Sequence, residues 1–331
     1  MAGPRADRSL RRADLIALGV SADELRGRRW RAPFYGVRTP AASDLNDPAL
    51  QRILDAVELV PDGAALGGWA AGRLLGVPEL DGRLGPRIEP VLVLVPDRAQ
   101  HVSARPGVRF FRSSLDEGDV TEVHGIRVTR PVRTMFDLVR TSRRPEEALV
   151  AADLVARWLG PTADDVLRYA DAHRRFRGVP LVRAVAPLVD PLSRSPGESR
   201  FRYLWVVEAG LARPVCNAYV VNAAGTVVAM PDLLDPAVGL VGEYDGATHR
   251  ELASHTEDNV REESFEAMGL VVVRATSLDL GPYRRRTVQR VREHHGRAAA
   301  NRAMAQSWGW RPGRIWTPLR PPFDMGGEWW K

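Results

Sequence analysis

Apolar residues recur along this 331-residue chain at helical spacing in some stretches and at strand spacing in others, so helices and strands are interleaved. Near the start, Leu10, Leu15 and Leu18 make an apolar stripe that Ser9 can cap and Gly19 can end, which predicts a short helix. Ser21 and Glu24 follow at capping-box spacing and predict a second one. The aromatic and β-branched "RWRAPFYGVRTP", turning about Pro33 and Gly36, predicts a hairpin. Helix, turn, helix and β-wing over residues 1–45 is the order of a small DNA-binding module. Arg26, Arg28, Arg29 and Arg31 stand where such a module meets phosphates.

Residues 46–190 read as a continuous α/β region. "DPALQRILDAVELVP" and "GGWAAGRLLGVP" have helical periodicity, "EPVLVLVPD" and "GVRFFRSS" strand periodicity, and "PEEALVAADLVARWLG" is another amphipathic helix. His101 and His124 stand apart from other ligand-type residues and are expected at the surface. The "GGWAAGRLLG" stretch lacks the Lys-Ser/Thr pair of a phosphate loop and reads as following no strand. The Pro-, Ser- and Gly-rich "DPLSRSPG" at 190–197 is the best candidate for a domain boundary.

Beyond it the pattern is regular. "GESRFRYLWVVEAGL" predicts a helix, and "PVCNAYVVN", "TVVAMPDLL" and "VGLVGEYDG" predict three strands. "SHTEDNVREESFEAMG" predicts a second helix, and the apolar "LVVVRATSL" a central strand. The order over 191–283 is αβββαβ, so the chain as a whole is of the α/β (α+β) class. A basic, Trp-rich extension is expected over 284–331.

With 44% hydrophobic and 27% charged residues, the chain has the composition of an ordinary globular protein. No apolar run reaches the length a membrane span needs, and no membrane partner is expected. The opening residues carry no apolar signal core and Cys216 is the single cysteine, so a cytoplasmic location is expected. All the basic residues but Lys331 are arginines, in part a matter of codon bias. From Arg284 to Arg314 there are nine arginines and one acid, a net +8 in a chain whose total is only +6. Such a tract either attracts a nucleic-acid backbone or forms a solvated helix face.

The unusual chemistry lies in "PDLLDPAVGLVGEYDGATH". Side chains alternate along a strand, so Val241, Glu243 and Asp245 share one face. Asp232 ends the preceding strand beside Pro231 and faces Glu243 if the register allows. Opposed like charges cost stability unless a cation lies between them. Mg²⁺ takes one or two carboxylates together with water and phosphate oxygens, the setting of phosphodiester cleavage.

This order, with "PD" and then "EYD", resembles the PD-(D/E)xK nuclease superfamily. The stretch from "PDLLDPAVGLVGEYDGATH" to "DNVREESFEAMGLVVVRAT" resembles more closely proteins related to the very-short-patch-repair endonucleases. Residues 1–45 are similar to the winged-helix-like N-terminal domain of AbiEi antitoxins, and the combination is seen in actinobacterial hypothetical proteins. The resemblance implies Asp232 and Glu243 as ligands of Mg²⁺ or Mn²⁺, and Glu198 as a helix acid that helps hold metal or water. Asp245 stands where the superfamily has lysine, as a further ligand or a general base. His249 would orient the water or protonate the leaving oxygen, and Arg261 or Arg274 would supply the missing positive charge. The implied activity is metal-dependent DNA cleavage or nicking in repair or defence. The alternative is a non-enzymatic DNA-binding regulator with a degenerate nuclease fold, or one half of a defence or toxin–antitoxin pair acting with a protein partner.

Overall fold

The computed structural model describes residues 9–43, 47–96, 105–246, 265, 267–302 and 308–315. The fold is α+β. It divides into two compact units, the chain up to Leu138 and the segment Val139–Pro318. Among the described residues, no helix is long and apolar enough to cross a membrane.

The first unit begins with β1 (Leu10–Arg11) and α1 (Arg12–Ala17), followed by β2 (Trp30–Arg31) and β3 (Val37–Pro40) in a small sheet of order β1-β3-β2. Leu15, Val20 and Leu25 form its core. The second helix expected near Ser21 is a single 3₁₀ turn, Glu24–Arg26. Ser21 Oγ does accept from Glu24 N at 3.1 Å, but Gly27 turns extended directly afterwards and ends the turn. A single turn is too short to lie along a DNA groove.

This small sheet shares a polar core with α2 (Pro48–Val57). Asp55 on α2 is buried, and its carboxylate accepts from Ser9 Oγ at 2.7 Å, Thr39 Oγ1 at 3.0 Å and Arg31 Nη1 at 2.6 Å. Arg31 is therefore committed to Asp55 rather than to a phosphate. The remaining elements are β4 (Ala65–Gly67), α3 (Gly68–Leu74), β5 (Arg83–Leu84), β6 (Arg87–Ile88), β7 (Val91–Val95), β8 (Val108–Arg112), β9 (Val120–Val123) and β10 (Ile126–Thr129). Five of these strands form a sheet of order β8-β7-β4-β10-β9, with β7 buried along its whole length. β4 runs straight into α3, so the glycine-rich stretch does follow a strand, but it still lacks a phosphate loop's lysine.

The division between units falls within α4 (Pro131–Thr141), not at residues 190–197. In the second unit α5 (Pro145–Leu159) is followed by α6 (Ala163–Ala172) and α7 (Val179–Val185), and α5 packs on α8 (Pro196–Tyr203) beyond the expected linker. Asp153 of α5 and Arg202 of α8 form an ion pair in which each side chain is only 1% exposed. Ser199 Oγ donates to the same carboxylate at 2.6 Å, and the Asp190 amide does so at 2.8 Å. Burial works against the Arg202 charge, but the Asp153 carboxylate outweighs it and holds the guanidinium pKa up. The polar linker is thus the lining of a buried joint.

α8 continues into a π-helical turn over Leu204–Glu208. Then come β11 (Val215–Cys216), β12 (Tyr219–Asn222), β13 (Val227–Ala229), β14 (Leu233–Asp235), β15 (Leu240–Asp245) and β16 (Val271–Thr276). α9 (Ser277–Leu280), α10 (Arg284–Arg302) and β17 (Trp308–Arg311) complete the unit. One sheet has the order β11-β14-β15-β16, with β15 and β16 parallel, and a second has the order β13-β12-β17. The predicted helix over 254–269 lies outside the described residues except at its end.

β11–β12 and β13–β14 are two arms of one antiparallel hairpin, since Val215↔Leu234, Cys216↔Leu233 and Val220↔Ala229 follow a single register. The ladder breaks where Asn217 adopts φ +46° and Pro231 has no N–H to give. One face of the core sheet packs Leu233, Leu240, Val273 and Ala275 against Phe201 and Trp205 of the α8 region and Val291 of α10. The other packs Leu234 and Val241 with Val220, Phe265 and Leu270. The basic stretch expected as an extension is therefore, over Arg284–Arg302, a helix that helps close the core.

Removing one partner of the Asp153–Arg202 pair strands a buried charge. Arg202→Met is expected to cost about 3–5 kcal/mol in urea unfolding, and Asp153→Leu/Arg202→Met to recover most of that loss.

Candidate functional site

Pairing of Leu233 with Gly242 and of Leu234 with Val241 fixes the register of β14 on β15. Extending it by one residue sets Asp232 directly opposite Glu243. Asp232 Oδ2 also accepts from Tyr244 N at 2.7 Å, which ties the acid across to β15. In this way its side chain takes up a donor at the point where Pro231 interrupts the ladder.

Val241 belongs to the core face that carries Leu234 and Phe265. By alternation Glu243 and Asp245 project on that same face, further toward the end of β15. Glu243 is half-buried and Asp245 exposed. The parallel partner strand adds Arg274 beside Glu243 and Thr276 beside Asp245. Neighbouring strands are about 4.8 Å apart, so three carboxylates and one guanidinium share a small patch at one end of the sheet.

Among the described residues no group of three or more His, Cys, Asp and Glu is placed to hold a metal ion. Asp232 and Glu243 form a pair of opposed carboxylates. That donor set suits Mg²⁺ or Mn²⁺, which complete their shell with water and phosphate oxygens.

Glu198 has a different set of contacts. It lies in the first turn of α8, and its amide donates to the Ser195 cap at 3.2 Å. Its Oε2 accepts from Arg194 N and from Asn217 Nδ2, both at 2.8 Å, and the side chain is buried. The resemblance gives this residue to metal or water; in the structure this oxygen closes a helix cap and fixes Asn217. His249 and Arg261 lie outside the described residues.

Asn217 is the residue that sequence reasoning missed. Its Nδ2 donates to Glu198 and to Leu192 O at 2.8 Å, and its amide donates to Asp232 O at 3.0 Å. The available signal was an asparagine inside a β-branched run, where Asn is depleted and a left-handed kink is its usual purpose. Asp235, close to Asp232 in sequence, belongs to the opposite face, where its Oδ2 lies 3.7 Å from His295 Nε2. Cys216 is buried, and burial pushes its thiol well above the ordinary value, which removes it as a nucleophile.

The basic helix is on the wrong face for the acids. Val291 and Ala298 place α10 against Leu233 and Val273, the side opposite Val241 and Glu243. Several of its arginines are also engaged within the protein. Arg284 pairs with Glu146 at 2.8 Å and Glu208 at 2.5 Å, Arg290 pairs with Asp279 at 3.0 Å, and Arg292 donates to Ala209 O at 3.0 Å.

Compared with known families, the chain matches no family model, and no curated protein is similar to it.

Glu198→Ala removes the acceptor for two donors, the buried Asn217 side-chain amide among them, and is expected to cost about 1–2 kcal/mol by thermal or urea unfolding. Glu198→Gln keeps one acceptor oxygen and is expected to retain most of that stability.

Proposed function

We propose that the second unit is a metal-dependent endonuclease or nickase that hydrolyses phosphodiester bonds in DNA. The observation that carries this reading is the β14–β15 register, which opposes Asp232 to Glu243 at the end of the sheet where β15 finishes. The succession of α8 and the described strands, with a parallel β15–β16 pair at one side, supports the resemblance to the PD-(D/E)xK nucleases.

Asp232 and Glu243 would hold the ion. Mg²⁺ or Mn²⁺, when bound, polarises a phosphate oxygen and acidifies a neighbouring water. Asp245, exposed on the same face, accepts the proton that water loses as its oxygen attacks phosphorus. The Arg274 guanidinium, beside Glu243, offsets negative charge on the phosphate oxygens as the P–O ester bond breaks. The leaving oxygen takes its proton from solvent. Asp245 cannot do what a lysine would at that position, so charge compensation passes to the neighbouring strand.

Asp232→Asn and Glu243→Gln are expected to lower Mg²⁺-dependent nicking of supercoiled plasmid on the order of a hundredfold or more, with duplex binding nearly unchanged. Wild-type protein that leaves single-stranded, duplex, mismatched and branched DNA intact in Mg²⁺ and Mn²⁺ would overturn the proposal. In that event Asp245, in place of lysine, favours the second reading, a DNA-binding regulator on a degenerate nuclease fold. Its mark is retained duplex binding to which the acidic variants make no difference.

A further inference from the structure

α10 packs on the face opposite the carboxylates, which leaves open what holds the DNA beside Asp232 and Glu243. The chain immediately after β17 offers an answer. β17 starts with Trp308, whose ring lies against Gly239 in the turn at the start of β15. It then runs antiparallel to β12, pairing Trp308 with Asn222, Val220 with Trp310 and Tyr219 with Arg311. Two further steps of this register set Gly313 opposite Asn217.

That approach is close enough to require glycine. A Cβ at Gly313 would collide with the Asn217 carbonyl. On its other side Asn217 donates its amide to Asp232 O at 3.0 Å. Gly313, Asn217 and Asp232 therefore lie on three neighbouring chain segments at the bend of the hairpin. Arg314 follows at once and is exposed.

We propose that Arg314, seated by Gly313, is a phosphate-binding residue of the nuclease site, and that it grips the DNA strand whose bond lies at Asp232 and Glu243. This rests on the nuclease reading above. Two strand spacings separate Gly313 from Asp232 by about 10 Å. With the reach of an arginine side chain added, the contact falls within a few phosphates of the one being cut. A guanidinium holds a phosphate with two parallel hydrogen bonds, which sets register as well as affinity. The exposed α10 arginines Arg285, Arg286 and Arg297 belong to the opposite side of the sheet and serve no such contact.

The test uses the full chain, a fluorescein-labelled random-sequence duplex without divalent metal for binding, and plasmid nicking in Mg²⁺ for turnover. Arg314→Gln is expected to weaken binding about three- to tenfold, to lower the salt slope by about one, and to raise KM for nicking with kcat unchanged. Gly313→Ala, which displaces the segment but keeps the charge, is expected to weaken binding similarly. Arg285→Ala/Arg286→Ala/Arg297→Ala is expected to bind and nick within about twofold of wild type. Arg314→Gln and Gly313→Ala variants that bind like wild type, or loss confined to the α10 variant, would overturn the assignment. If Asp232→Asn still abolishes nicking in that case, the nuclease reading stands and only Arg314's role is lost. Wild-type protein with no affinity for the duplex would remove both.

Discussion

Asn217 is held in the left-handed region at φ +46°, and the geometry of the acidic edge depends on it. Its side chain is anchored to Glu198 and Leu192, its amide to Asp232, and its carbonyl lies against Gly313. A straight hairpin would carry the β13–β14 arm past this point as ordinary ladder, with Asp232 as one more strand residue. The kink stops regular pairing there and leaves a carboxylate facing Glu243 at the end of β15. Like charges so placed are a cost to folding, which the Tyr244 amide offsets only in part. Glu198, buried and bonded to two donors, belongs to the same arrangement as its brace.

The arginine content has two consequences that are easily confused. A run of guanidiniums suggests a nucleic-acid surface, yet some of these charges are paired within the protein. Arg31 is spent on Asp55, Arg133 on Asp119 and Asp137, Arg202 on Asp153, and Arg284 on Glu146 and Glu208. Planar, always-charged guanidiniums suit such buried pairs because they satisfy several acceptors at once. What distinguishes an arginine available to a phosphate is its place in the fold, not its density in the sequence.

Much of the second unit was legible because its cues are local. The three-strand run, the apolar β16, the "PD" break and the Gly210 stop each follow from alternation, proline chemistry or glycine's backbone freedom. The face shared by Glu243 and Asp245 follows from period two alone. The second helix of residues 1–45 was overestimated because capping-box chemistry announces where a helix starts and says little about its length. The boundary at 190–197 was misjudged because Pro, Ser and Gly mark irregular backbone, and here that backbone lines a buried ion pair.

By itself the sequence determined the α+β class, the strand-forming stretches between Val215 and Thr276, and the set of carboxylates that share a strand face. These depend on neighbours within a few residues, where sterics and hydrogen-bonding periodicity act directly. Only the tertiary structure decided that Asp232 stands opposite Glu243, that Arg274 lies beside Glu243, and that α10 covers the other face while Gly313 reaches the bend. Those outcomes turn on register and on which side of a sheet a distant segment packs. A shift of one residue reverses every face in a strand, and local patterning does not settle it.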